Sequence, residues 1–184
     1  TKRLEICRNE YLKIINDDKD LKEYDYMIVL DADRVNNLLN PNDLKESIYE
    51  LNNQNWSSLF PNQSYLYYDI WALRVQNLIE NDCFDEFYKL VNKYSFKKSY
   101  YLSVTKKMFF LKNNKDRYKK VISAFGGLGI YKIERILGFF YDSKEGRESE
   151  HVGFNEKINI KYGNNLIDTK LINSRGLNSH AINS

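Results

Sequence analysis

One short segment limits this chain more than any other. Tyr24 to Leu30 is a short, mostly apolar run flanked by polar residues, and it stops abruptly at Asp31-Ala32-Asp33. The run does not alternate, so it reads as a buried, parallel strand covered on both faces. Two carboxylates just past the carboxyl end of such a strand sit where open α/β sheets bind their ligands.

The flanking segments fit an α/β chain. Thr1 to about Asn16 carries apolar residues at helical spacing, with Leu4, Cys7, Tyr11, Ile14 and Ile15 on one face. A polar loop, Asn16 to Glu23, leads to the strand. Asn40-Pro41-Asn42-Asp43 is a turn, and Asp43 with Glu46 resembles a capping box for a helix carrying Leu44, Ile48 and Leu51. Residues 52–64 read as polar turns and Tyr65 to Arg74 as extended. Val75 to Tyr94 reads as a helix with Leu78, Ile79, Phe87, Leu90 and Val91 inward. Ser95 to Lys120 is basic and aromatic and shows no clear period; a solvated face accounts for it better than single-stranded nucleic acid binding. Val121 to Ile133 is apolar and carries Gly126, Gly127 and Gly129, which suggests a strand with a tight bend. His151 to Phe154 and Ile158 to Tyr162 read as short strands. Residues 1–173 form one domain, and 174–184 read as a polar tail holding His180.

Bulk properties exclude several classes. With 184 residues, 42% hydrophobic and 29% charged, the chain is long enough for one real core and is not disordered in composition. A net charge of +3, with both signs mixed, does not point to nucleic acid or to a membrane surface. Cys7 and Cys83 are far apart and read as small core residues rather than a disulfide or zinc pair. No signal peptide is visible and no apolar run approaches the ~20 residues of a membrane span. The chain therefore reads as cytoplasmic, or as belonging to a viral or host-cell compartment if it is part of a longer protein.

Asp31 and Asp33 carry the chemistry. Two carboxylates separated by one small residue can both reach a hard divalent cation such as Mn²⁺ or Mg²⁺, which keeps open positions for phosphate oxygens. A cation so placed neutralises charge on a leaving diphosphate. The same string also resembles the first motif of haloacid-dehalogenase-type phosphatases, with Asp31 as nucleophile and Asp33 as acid/base. That family needs a downstream acidic pair after an apolar strand, and none is evident here.

Further segments carry a broader resemblance. They are Arg3-Leu4-Glu5-Ile6-Cys7-Arg8-Asn9, Tyr67-Tyr68-Asp69-Ile70-Trp71-Ala72-Leu73-Arg74, Ala124-Phe125-Gly126-Gly127-Leu128-Gly129-Ile130-Tyr131 and Glu150-His151-Val152-Gly153-Phe154-Asn155. Together with the Asp31-Ala32-Asp33 strand, and in this order, they resemble GT-A nucleotide-sugar glycosyltransferases of viral and fungal type, including the capsule-associated mannosyltransferase-like group. The resemblance spans about Arg3 to Ile172.

It implies a Rossmann-like mixed sheet flanked by helices. It also implies a nucleotide-sugar donor, a carbohydrate or glycoprotein acceptor, Mn²⁺ or Mg²⁺, and no nucleic-acid partner. By the family pattern, Arg8, Asn9, Asp31, Asp33 and Arg74 would serve the donor. Asp69 and Glu150 would be catalytic, Trp71, Gly126 and Gly127 would shape the acceptor side, and Asp31, Asp33 and His151 would hold the metal. The family normally begins with a strand-helix unit for the nucleobase, whereas this sequence begins at the helix before Asp31. A non-catalytic relative of the family, binding carbohydrate or a partner, is the reading from outside enzymology. Each residue also has a plainer one: Arg8 paired with a neighbour such as Glu5, Arg74 paired with Asp69, Trp71 in the core, the glycines in a bulge.

Overall fold

The computed structural model describes residues 2–52 and 54–176. Residues 177–184 of the expected polar tail, His180 included, lie outside these residues, while Ser174 is not tail but the buried end of a strand.

Among the described residues, five strands form one mixed sheet: β1 (Tyr26–Leu30), β2 (Ser58–Gln63), β3 (Tyr118–Val121), β4 (Leu128–Lys132) and β5 (Asn165–Ser174), in the order β1-β4-β2-β5-β3. Only β2 and β5 run parallel; every other neighbour is antiparallel. Helices cover both faces, besides two single-turn helices, α2 (Lys19–Lys22) before β1 and α6 (Ile133–Ile136) after β4. On one face α1 (Lys2–Asp17) and α7 (Glu150–Tyr162) bring Leu12, Phe154 and Ile158 against Met27, Val29, Phe60, Tyr131 and Ile167. On the other, α3 (Pro41–Leu51) packs Leu51, with Leu44 and Ile48 at its margin, onto Trp56, Leu59, Leu128, Ile130 and Leu166. The mixed α/β sheet flanked by helices is therefore present. Among the described residues, no helix is long and apolar enough to cross a membrane.

Several local expectations are corrected. β1 is an edge strand, antiparallel to β4 with Tyr26 opposite Lys132 and Leu30 opposite Leu128. Met27 and Val29 are buried while Ile28 and Leu30 are about half exposed, so the strand does alternate in burial although its residue types do not. α1 is rotated from its apolar stripe: Leu4, Cys7 and Ile14 are exposed, and the inward positions are Glu5, Arg8, Asn9 and Leu12. Polar partners cause the rotation. Glu5 accepts from the backbone N–H of Ser143 at 3.0 Å, and Asn9 pairs both amide ends with the backbone of Tyr141 at 2.7 and 3.1 Å. Cys83, by contrast, is buried as expected.

α3 is capped by Asn40, whose side chain accepts from the N–H of Asn42, with Pro41 at the first helical position instead of a box built on Asp43. The long helix expected over 75–94 is only α4 (Cys83–Val91), capped by Asp82, and Leu78 is exposed. Residues 95–120 resolve into α5 (Phe96–Tyr100), a π-helical turn Tyr101–Thr105, a short 3₁₀ turn Lys107–Phe109 and β3. β2 was hidden by Pro61, an unusual residue for an interior strand. The register shift between Phe60 and Asn62 accommodates it.

The segment from Glu150 to Tyr162 is helix, not two strands. Every residue from Glu150 to Asn155 is buried, so the helix shows no one-sided stripe from which a 3.6-residue period can be read.

Candidate functional site

The site is organised by a glycine pair. The N–H of Asp31, first residue after β1, donates to the carbonyl of Gly127 at 2.9 Å. On the other side of the same dipeptide, the N–H of Gly126 donates to Oδ2 of Asp69 at 3.0 Å, while Ala72 N–H reaches Oδ1 at 3.3 Å. Gly126 and Gly127 have φ of +63° and +87°, where L side chains are strained. A Cβ on Gly127 would fall 2.3 Å from Cγ2 of Val35. The loop is fixed from below by Asn36, whose amide donates to both Asp31 O and Gly127 O at 2.9 Å, and by Asn173, which donates to Gly126 O at 2.7 Å.

Arg8 enters from α1. Its Nη2 lies 3.1 Å from Oδ1 of Asp31 and its Nε 3.0 Å from Oε1 of Glu150. The guanidinium also lies 5.2 Å from the ring centroid of Phe125. Glu150 and His151 open α7. Neighbours on a helix are about a quarter-turn apart, not on opposite faces, so both line the same region, contrary to the strand-based expectation. His151 stacks on Phe125 at 3.6 Å and meets Tyr141 edge-on at 5.4 Å. Among the described residues neither of its buried ring nitrogens has a hydrogen-bond partner, the nearest carboxylate oxygen, Glu150 Oε1, lying 3.6 Å from Nε2.

The electrostatics follow from this crowding. Burial, reinforced by the charges of Asp31 and Glu150, pushes the Asp69 carboxyl up to about 6 despite its two backbone hydrogen bonds. Burial also raises Asp31, against the pull of Arg8. Tyr68 is raised by burial and then by the charges of Asp69, Asp31 and Asp33. His151 is held well below its ordinary value by burial and by Arg8, so it is neutral.

The structure thus brings together Arg8, Asp31, Asp69, Gly126, Gly127, Glu150 and His151, with Asp33 on the exposed turn beside them. Other expected site residues are occupied elsewhere. Asn9 is spent on the Tyr141 backbone, which anchors α1 and so aims Arg8. Arg74 is almost fully buried; it donates to Glu148 at 2.7 Å and to the carbonyls of Trp71 and Leu73, with Asp82 at 3.5 Å. Its partner is therefore not Asp69, and no face of it is left for a diphosphate. Trp71 packs edge-on against Phe84 at the margin of the core. The expected set of Asp31, Asp33 and His151 is not gathered: among the described residues, no three His, Cys, Asp or Glu side chains are grouped to hold a metal ion.

Four contributors escaped the sequence reading: Phe125, Tyr141, Asn36 and Asn173. Phe125 directly precedes the glycine pair and could have been suspected from that position; the others have no local signature. Comparison with protein-family models, with curated proteins and with solved structures finds no match for this chain.

Proposed function

We propose that the protein transfers a sugar from a nucleotide-sugar donor to a hydroxyl acceptor. One observation carries the reading. A single Gly126-Gly127 dipeptide hydrogen-bonds the Asp31 backbone on one side and the Asp69 carboxylate on the other, at the carboxyl end of β1. In this reading Asp31 and Asp33 serve the diphosphate and Asp69 the acceptor hydroxyl, from the two sides of one loop.

The donor types suit Mn²⁺ or Mg²⁺. Such ions are commonly bound by only one or two carboxylates plus substrate phosphates and water, so Asp31 and Asp33 suffice without a third protein ligand. His151 is not grouped with these two carboxylates and is left out of the set. When bound, the cation would offset charge on the departing diphosphate.

The chain's own residues do the rest. Asp69, with its carboxyl near 6, takes the proton from the acceptor hydroxyl as that oxygen bonds to the anomeric carbon and the bond to the diphosphate breaks. Glu150, held by Arg8, keeps the guanidinium beside Asp31.

Thermal-shift titration with nucleotide-sugars, with and without Mn²⁺, tests the proposal. Stabilisation that needs both, and that is lost in Asp31→Asn and Asp33→Asn, supports it. Hydrolysis of an aryl phosphate abolished by Asp31→Asn would replace it with the phosphatase. No response to any donor would leave a non-catalytic domain.

A further inference from the structure

The whole-chain charge of +3 hides a sharp local asymmetry. Between Phe87 and Lys115 the sequence holds eight lysines and no aspartate, glutamate or arginine. These residues fold into the end of α4, α5 and the turns that follow. Of the eight, only Lys107 makes an ion pair among the described residues, with Glu86, while the other seven are exposed.

Aromatic side chains lie among these lysines. Phe87 is buried and forms the hub of a ring cluster, with centroids 5.1 Å to Phe96, 5.4 Å to Tyr88 and 6.3 Å to Tyr100. The spokes are open to solvent: Phe96 is 66% exposed and Tyr88 65%. Tyr94 carries Lys98 over its ring at 4.2 Å and also lines an adjoining, mostly apolar cavity of about 530 Å³ with Leu90, Leu102 and Phe110, edged by Lys106, Lys107 and Glu86.

We infer that this α4–α5 face docks the protein on a lipid bilayer carrying anionic headgroups. Aromatic rings and lysines on short helices are the side chains that settle at a bilayer interface, the rings at headgroup level and the ammonium groups against the lipid charge. The adjoining apolar cavity suits an acyl chain. It has no use in gripping nucleic acid, and the absence of arginine removes the forked donor that phosphate backbones favour. The inference is independent of the proposed transferase chemistry, since Asp31, Asp69 and Glu150 are not part of this face.

Co-sedimentation of the full chain with phosphatidylcholine vesicles, and with vesicles that also contain phosphatidylserine, tests it. The protein is expected to pellet with the mixed vesicles, not with phosphatidylcholine alone, and to be released as salt rises. Each lysine near the surface is worth roughly fivefold in partitioning, so Lys93→Glu, Lys97→Glu and Lys98→Glu together should weaken binding by at least about a hundredfold. Tyr88→Ser with Phe96→Ser should weaken it roughly tenfold even at low salt. All five side chains are exposed, and circular dichroism verifies that the variants fold. No pelleting with the mixed vesicles, or pelleting that neither set of substitutions changes, overturns the inference. So does lysine-dependent binding of a single-stranded oligonucleotide without vesicle binding.

Discussion

Asp31 and Glu150, from opposite ends of the chain, are held by one guanidinium: Arg8 reaches Oδ1 of the first at 3.1 Å and Oε1 of the second at 3.0 Å. The strand end that carries Asp31 and the helix start that carries Glu150 are therefore fastened through α1.

Removing that fastening should be costly. Arg8→Ala leaves Glu150 buried without its cation, and breaking a buried pair typically costs about 3–5 kcal/mol. Asp31 is more exposed, so its share is screened by solvent. Urea denaturation should show a loss of roughly 2–4 kcal/mol, with Arg8→Lys losing less. An unchanged midpoint would mean that the pair contributes nothing to the fold.

Arg74 makes a contrasting case. Its partners Glu148 and Asp82 are buried with it, so Arg74→Ala should cost about 3–5 kcal/mol in the same assay. In whatever fraction stays folded, affinity for a nucleotide-sugar should be near that of the parent, measured by calorimetry. A selective loss of affinity with full stability would return Arg74 to the binding site.

Gly127→Ala meets two obstacles, a φ of +87° and Val35 at 2.3 Å. The expected loss is about 1–3 kcal/mol. Adding Val35→Ala should recover only the steric part, because the backbone strain persists. Full recovery in thermal melts would show that the positive φ is not the constraint.

Asp69 should impose a pH dependence. Its folded value, about 6, lies above the ordinary 3.8, so the folded state holds its proton more tightly than the unfolded chain does. Stability is then favoured below that window and falls as pH rises from about 4 to about 6. The difference in unfolding free energy between the parent and Asp69→Asn should change across that range and be flat above it. A flat difference throughout would place the carboxyl at its ordinary value.

His151 acts in the opposite sense. Its folded value is depressed, so the unfolded chain binds the proton more readily, and stability falls as pH drops below about 6.5. His151→Phe preserves the stack on Phe125 and removes two unpartnered buried nitrogens, so it should match or exceed the parent in thermal stability. Because His151 is not grouped with Asp31 and Asp33, the same variant should keep any Mn²⁺-dependent stabilisation. A large loss of stability would show that the nitrogens are already bonded in the fold.

The boundaries of α1 and β1 were legible within one or two residues, and so was the turn at Gly126-Gly127, because each has a local cause: apolar spacing, a short apolar run, residues that tolerate positive φ. β2 and β5 were not. They hold Pro61 and buried polar residues such as Asn165, Asp168 and Asn173, whose partners come from distant segments, so a hydrophobic pattern could not reveal them. α7 failed for the converse reason, since burial on all sides erases a stripe.

The sequence by itself determined that two carboxylates end a strand, that a glycine pair bends the chain before another, and that Glu150 and His151 are adjacent. Only the tertiary structure decided which of these meet. It turned α1 so that Arg8 faces inward, because Asn9 and Glu5 find backbone partners there. It also made the Glu150 segment a helix, so that both its residues face one site. Arg74 was drawn into a separate ion cluster, because Glu148 and Asp82 are buried beside it and a buried charge needs its counter-charge close by.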